Sequence, residues 1–318
     1  MIERIGSRLR EYFKYKMKNE PVSKEALVKK GEYYVWEDLD CNDTCVAAWQ
    51  GMTYLHRTKD ELCKAISEED ISKLKSAFVY WLDNDFQNSN WWYSQIGVPM
   101  AVCDIVILLE DRLSKEELDK AIRIIEKGSL KKSEYIKQWT GANLIWGIWT
   151  TAKHALIEKD GNLLKRAVKY ASREVRLARG DEEGIKPDFS FFQHGTLHYT
   201  LGYGRSFTVS LSLLVYILSG SEYQLTQEKL EILVRFLLEG QAMMMRGRSV
   251  DYLAIGREYC RINSLKADEV YDSALLLSET VDIPCYQEQL PLWRGMKILR
   301  IRWDCGQIGK GRILSALD

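Results

Sequence analysis

The chain has 318 residues, 46% of them hydrophobic, and its 45 Lys plus Arg are matched by 45 Asp plus Glu, so it can build a sizeable core and carries no net charge. That balance excludes the basic excess of a nucleic-acid binder and leaves any anionic ligand to be held by local charge. Seven cysteines are too few for a disulfide scaffold, and five scattered prolines mark no linker, so one domain over residues 1–318 is the simplest expectation.

Met1 to Pro21 is charged and lacks the apolar centre of a signal peptide, and no later segment is expected to cross a membrane. Cys41 and Cys45 fall one helical turn apart. No second cysteine or histidine pair accompanies them at metal-ligand spacing, so no zinc site is expected. From Thr44 onward apolar residues recur at helical intervals, which predicts helices over 44–57, 60–83, 97–112, 115–127, 141–158, 162–180, 196–219 and 226–245. Ser114 followed by Glu117 has the form of a capping box, and Thr226 is a second helix start without the acidic third position. Strand-like alternation is nearly absent. Helices in pairs predict an all-α fold, either a superhelical solenoid or a ring of hairpins, the α/α toroid; no repeat of fixed period supports the solenoid.

The chemically suggestive residues gather at the predicted helix junctions, where connecting loops would border a cleft. Asn90-Trp91-Trp92-Tyr93 sets aromatic surface beside an amide, as sugar binding requires. Core packing is the other reading, with Trp81, Trp146 and Trp149 as companions, although two adjacent tryptophans cannot face one core from the same side of a helix. Trp139 extends the aromatic surface up to Thr140-Gly141-Ala142-Asn143, a helix start with Thr140 or Asn143 as cap. Asp188 to His194 and Leu201 to Gly204 bring a histidine and a tyrosine nine residues apart, so a bend must join His194 to Tyr203; Gly195, Gly202 and Gly204 make one feasible. A buried pair that merely satisfies backbone groups is the alternative. Arg257 and Arg261, at i and i+4, would share one face of a helix and grip a carboxylate, or else form a solvated surface pair; Arg246 and Arg248 would add positive field.

In this order, Asn90 to Trp92, Thr140 to Asn143, Asp188 to His194, Tyr203-Gly204 and Gly256 to Arg261 resemble the helical domain of the polysaccharide lyase family that contains hyaluronate, chondroitin AC and xanthan lyases. The resemblance implies an incomplete α/α toroid of paired antiparallel helices, with the family's C-terminal β-sandwich domains absent from residues 1–318. The tail from Lys297 to Asp318 lacks the strand pattern expected at the start of those domains. The resemblance further implies β-elimination on a uronate, with Asn143, His194, Tyr203, Arg257 and Arg261 as the catalytic set and Asn90, Trp91, Trp92, Trp139 and Gln193 against the sugar.

Such an elimination removes a weakly acidic C5 proton, so the neighbouring carboxylate must first be neutralised, by Asn143 with help from His194 and an arginine. Tyr203 would take the proton and return one to the departing oxygen, with a nearby arginine favouring its phenolate; His194 is the alternative base. The chemistry calls for no metal and no cofactor. The expected partner is an acidic polysaccharide, not a nucleic acid or a membrane, and the implied location is secreted or periplasmic. Two other readings are a helical-ring glycoside hydrolase, which needs paired carboxylates from Asp181, Glu182, Glu183 and Asp188, and a non-catalytic glycan-binding domain.

Overall fold

Ser114 opens its helix by accepting a hydrogen bond from the Glu117 amide while the Glu117 carboxylate reaches back to the Ser114 amide. Two donors that a helix start leaves bare are thereby satisfied, as the capping-box spacing predicted. The computed structural model describes residues 1–21, 23, 25–44, 48–261 and 266–283. The tail from Lys297 to Asp318 and Cys45 lie outside the described residues. Residues 1–174 with 220–224 form one compact unit, and residues 175–219 with those from 225 onward form a second.

The first unit holds α1 (Ile2–Met17), the hairpin β1 (Val28–Lys30) and β2 (Tyr33–Val35), and α2 (Gln50–Lys64), α3 (Glu68–Asn84), α4 (Val98–Leu109), α5 (Lys115–Lys127), α6 (Gly141–Ile157) and α7 (Gly161–Glu174). Short connections fold α2 onto α3, α4 onto α5 and α6 onto α7. At the centre α4 also packs on α2 and α6. Its run Val98 to Leu109 is almost wholly apolar and buried, as a helix surrounded by other helices must be. Lys153 of α6 is fully buried and donates to the Met100 carbonyl at 2.8 Å and to Asp104 at 2.6 Å, tying α6 to α4 with its charge paired.

The second unit contains the three-stranded antiparallel sheet β3 (Gly184–Ile185), β4 (Phe191–Gln193) and β5 (Leu197–His198), then α8 (Tyr203–Leu218) and α9 (Gln227–Arg235). The hairpin β6 (Met245–Arg246) and β7 (Ser249–Val250), a 3-10 segment (Tyr252–Cys260) and α10 (Ala267–Thr280) follow, with α10 packed on α8.

The structure corrects several predicted boundaries. The 44–57 helix starts at Gln50, and the long helix over 60–83 breaks after Lys64 because Ser67 caps α3 by accepting from the Asp70 amide. The 162–180 helix stops at Glu174, where the chain leaves to bridge Leu177 with Ile185. Residues 196–202 are not helical: Leu197 and His198 pair with β4, and the helix begins only at Tyr203. The 226–245 helix widens into a π turn over Phe236–Gln241, where a Cβ on Gly240 would lie 2.0 Å from the Phe189 carbonyl oxygen. Helix α1, unforeseen, buries Ile5, Leu9 and Phe13, one residue per turn on a charged background. No membrane-length run was expected, yet Tyr93–Arg112 is a continuous helical stretch long and apolar enough for one; most of it is buried in the first unit, as a core helix is.

Candidate active site

In the first unit the aromatic residues are set by one amide and two glycines. The Asn90 side-chain oxygen accepts from the Trp92 amide at 3.0 Å and starts the helical turn that carries both tryptophans. The chain then widens into a π turn over Tyr93–Gly97. Trp92 lies edge-on to Trp146, 5.7 Å between centroids, and its ring covers Gly97, where a Cβ would come within 2.7 Å. Trp91 turns the other way, is 46% exposed, and leans on Trp139 at 5.8 Å. Trp139 in turn covers Gly147, where a Cβ would meet its ring at 3.2 Å. The adjacent pair therefore divides its faces, while Trp81 and Trp149 are core residues at 1% and 6% exposure.

Asn143 stands in the first turn of α6. Neither Thr140 nor Asn143 caps that helix: Thr140 occupies the cap position without a side-chain cap bond, and the Glu174 carboxylate accepts from the Gly141 amide at 2.5 Å. Among the described residues the buried side-chain oxygen of Asn143 has no hydrogen-bond partner. Leaving such a group unpaired costs roughly 1–3 kcal/mol, so stability does not account for its presence there.

In the second unit the bend required between His194 and Tyr203 is the β4–β5 hairpin. His194 follows β4 at φ 56 and Gly195 follows it at φ 77, a left-handed pair that reverses the chain. The Gly195 amide donates to Glu183 at 2.9 Å, which pins the turn. Tyr203 is the first residue of α8, and its ring meets that of His194 at 5.0 Å, nearly perpendicular. Arg257 enters from the 3-10 segment after Gly256, whose φ 55 and ψ −135 glycine adopts at least cost. Its guanidinium lies 3.2 Å from His194 Nε2. A guanidinium only donates, so Nε2 accepts and the imidazole is neutral with its proton on Nδ1. Burial, then the Arg257 charge, hold His194 below the ordinary histidine range against the opposing pull of Glu183. Arg257 itself is held above its ordinary value, chiefly by a hydrogen bond to the Tyr203 hydroxyl.

Other predicted residues lie differently. Arg261 is exposed and extended at φ −98, ending the 3-10 segment, so Arg257 and Arg261 do not share the α-helical face that their spacing predicted. Gln193 is buried and pairs in register with Leu197. Of the carboxylates a hydrolase would need, Glu182 is bonded to the Arg179 amide and Arg176, and Asp188 to Ser190; both are held below the usual carboxylate range, the reverse of a general acid. Cys41 is buried, and its thiol is pushed up to about 12 by that burial.

Sequence reasoning missed two participants. Arg205, buried in the first turn of α8, lies 3.5 Å from Glu258 and 3.1 Å from Glu269, joining α8 to the Arg257 segment and α10. Tyr199 is wholly buried, with its ring 4.9 Å from that of Tyr203 and its hydroxyl accepting from the Arg257 amide at 3.1 Å. A tyrosine four residues before another carries no signal of either bond. Only the glycines at 202 and 256 hinted that something bulky comes close.

The chain is 28% identical over 266 residues to "Chondroitinase-AC" of Pedobacter heparinus, an alignment covering 80% of this chain and 37% of that protein. It is 31% identical over 181 residues to "Xanthan lyase" of a Bacillus species, covering 54% of this chain and 18% of that one. It thus spans less than two fifths of the length of either relative. Among solved structures, a chondroitinase AC lyase matches 98% of this chain and 45% of its own with a TM-score of 0.74 at 22% identity. A Paenibacillus xanthan lyase matches 92% and 29% with a TM-score of 0.65 at 21% identity. These likenesses show the fold, and the all-α class of the α/α-toroid kind predicted from the sequence holds. The family described as "Polysaccharide lyase family 8, N terminal alpha-helical domain" matches residues 11–282, and the chain belongs to it.

Proposed function

We propose that this chain is the helical part of a polysaccharide lyase that cleaves a uronate-containing glycan of the chondroitin, hyaluronan or xanthan type by β-elimination. The observation that carries this reading is the Arg257 guanidinium, hydrogen-bonded at once to the Tyr203 hydroxyl and to His194 Nε2. A phenol held in place by a donated hydrogen bond is a positioned proton-transfer group, which is what a tyrosine base requires. The same bond occupies the lone pair that His194 would need as a base, so the base role goes to Tyr203 and His194 keeps a neutral, orienting one.

Tyr203 takes the C5 proton, the electrons of that C–H bond form the C4–C5 double bond, and the C4–oxygen bond breaks. The proton on Tyr203 then passes to the departing oxygen. Asn143, Arg261, Asn90 and the indoles of Trp91, Trp92 and Trp139 keep the roles the resemblance implied, carboxylate neutralisation for Asn143 and sugar contact for the aromatic residues, whereas Gln193, 1% exposed, offers no face to a sugar. The relatives' names, chondroitinase, xanthan lyase and hyaluronate lyase, support the acidic-polysaccharide class. A polymer of that size does not cross a bilayer, so the reading also places the protein in the secreted or periplasmic space.

The test is incubation with hyaluronan, chondroitin sulfate and xanthan while following near-ultraviolet absorbance, which rises only when an unsaturated uronate forms. Tyr203→Phe should reduce turnover by about 100-fold or more, the scale of one acid–base group, with glycan binding retained. Unchanged turnover in that variant removes Tyr203 from the base role. Glycan binding with no absorbance change would select instead a glycan-binding role without turnover.

A further inference from the structure

Tyr199 is bonded or packed at every part of its structure. Its amide donates to the Phe191 carbonyl at 2.7 Å, and its carbonyl accepts from the amides of Gly202 at 3.0 Å and Gly204 at 2.9 Å, around the start of α8. Its ring is the surface on which two glycines close. A Cβ on Gly202 would lie 2.6 Å from that ring and one on Gly256 would lie 2.4 Å from it, so neither segment could approach as closely with any other residue. Its hydroxyl accepts from the Arg257 amide at 3.1 Å, and the ring stands nearly perpendicular to Tyr203 at 4.9 Å and within 6.2 Å of His194.

We infer that Tyr199 is a positioning residue for the proposed elimination: through its carbonyl it fixes the helix start that presents Tyr203, and through its hydroxyl it fixes the turn that presents Arg257, thereby holding guanidinium and phenol together. The inference rests on the lyase reading for its consequence but on the second unit's geometry for its content. Burial keeps the Tyr199 phenol above its ordinary range, so the hydroxyl stays protonated and is not itself a base at neutral pH. Beside the Arg205–Glu258 pair, the Arg257 segment is anchored through backbone and hydroxyl groups next to Tyr199. The neighbouring Leu201 amide bonds to the Ala254 carbonyl at 2.8 Å, two residues before the glycine break, and beyond Gly256 it is the Tyr199 hydroxyl that holds the Arg257 amide.

Tyr199→Phe keeps the ring that Gly202 and Gly256 need and removes only the hydroxyl's bonds to the Arg257 amide and side chain. It should lower kcat by about tenfold, the scale of one positioned hydrogen bond, with KM little changed. A fall in kcat with KM held is a split that a merely structural loss would not produce. Independently of turnover, the ¹³Cζ-tyrosine NMR signal of Tyr203, assigned by its loss in Tyr203→Phe, should change position in Tyr199→Phe as the Arg257 guanidinium leaves the phenol. In the wild-type chain the Arg257 amide should exchange slowly with solvent although its side chain is exposed. Rapid exchange there, or an unmoved Tyr203 signal in a folded Tyr199→Phe protein, would overturn the inference. An inactive wild type whose Tyr203 signal still moves in Tyr199→Phe would instead overturn the lyase reading and leave the positioning role standing.

Discussion

Trp92 and Trp139 take their places from helices and adjoining turns whose packing would exist without them, each ring resting on a glycine of a neighbouring helical turn. His194, Tyr203 and Arg257 take theirs from a three-residue strand, the first position of a helix and a 3-10 segment broken by a glycine at φ 55. In the first unit an exposed aromatic surface is laid on a scaffold stabilised by buried apolar area. In the second, scaffold and site are the same few turns, so a backbone change and a chemical change have the same consequence. One buried ring, Tyr199, takes the part there that whole helices take in the first unit.

The largest expected effect separates core tryptophan from surface tryptophan. Trp81→Ala should cost about 3–5 kcal/mol in urea unfolding, because it empties a fully packed site. Trp91→Ala, at 46% exposure, should change stability by less than about 1 kcal/mol while weakening glycan binding. Equal losses of stability from both would erase the distinction between scaffold and surface in the first unit.

Next is the glycine break. Gly256→Ala sets a Cβ 2.4 Å from the Tyr199 ring in a conformation that L residues avoid, and about 2–3 kcal/mol of destabilisation is expected together with loss of turnover. Gly31→Ala, in the β1–β2 hairpin of the first unit, also has positive φ but nothing within 4 Å, and should cost only about 1 kcal/mol. Thermal unfolding of the two variants side by side checks whether crowding against Tyr199, rather than backbone angle alone, governs the second unit.

The smallest effect is shared by both units. His56 and His154 in the first and His194 and His198 in the second are all held below the ordinary histidine value, burial being the first cause in each. A histidine that binds its proton more weakly when folded leaves the folded state with fewer protons than the unfolded one. Stability is then full above about pH 6.5, the unfolded value, and is lost as pH falls through it. The melting temperature should therefore drop between pH 7.5 and pH 5, and a melting temperature that rose on acidification would contradict the buried neutral state of these rings.

Much of the scaffold was legible because helices are local. The capping box at Ser114, the apolar run of α4 and the break before Gly141 each depend on residues within a turn or two, and each appears where spacing placed it. The division of Trp91 from Trp92 was also foreseeable, since adjacent residues on a helix cannot face the same way. The errors fall where partners are distant in sequence. Residues 196–202 have a helical apolar pattern, yet pairing with β4 and the closure on Tyr199 override it. The Arg257–Arg261 spacing suggested a shared face, yet the glycine break makes the segment 3-10.

By itself, then, the sequence determined the helical class, most of the helix positions and the residue types that could carry an elimination, because periodicity, capping and side-chain chemistry are written within a few residues of one another. Only the tertiary structure decided that Arg257 reaches both Tyr203 and His194, that the His194 lone pair is already occupied, and that Tyr199 holds the arrangement. Those facts depend on hydrogen bonds between residues 54 to 63 positions apart, whose partners no local spacing names.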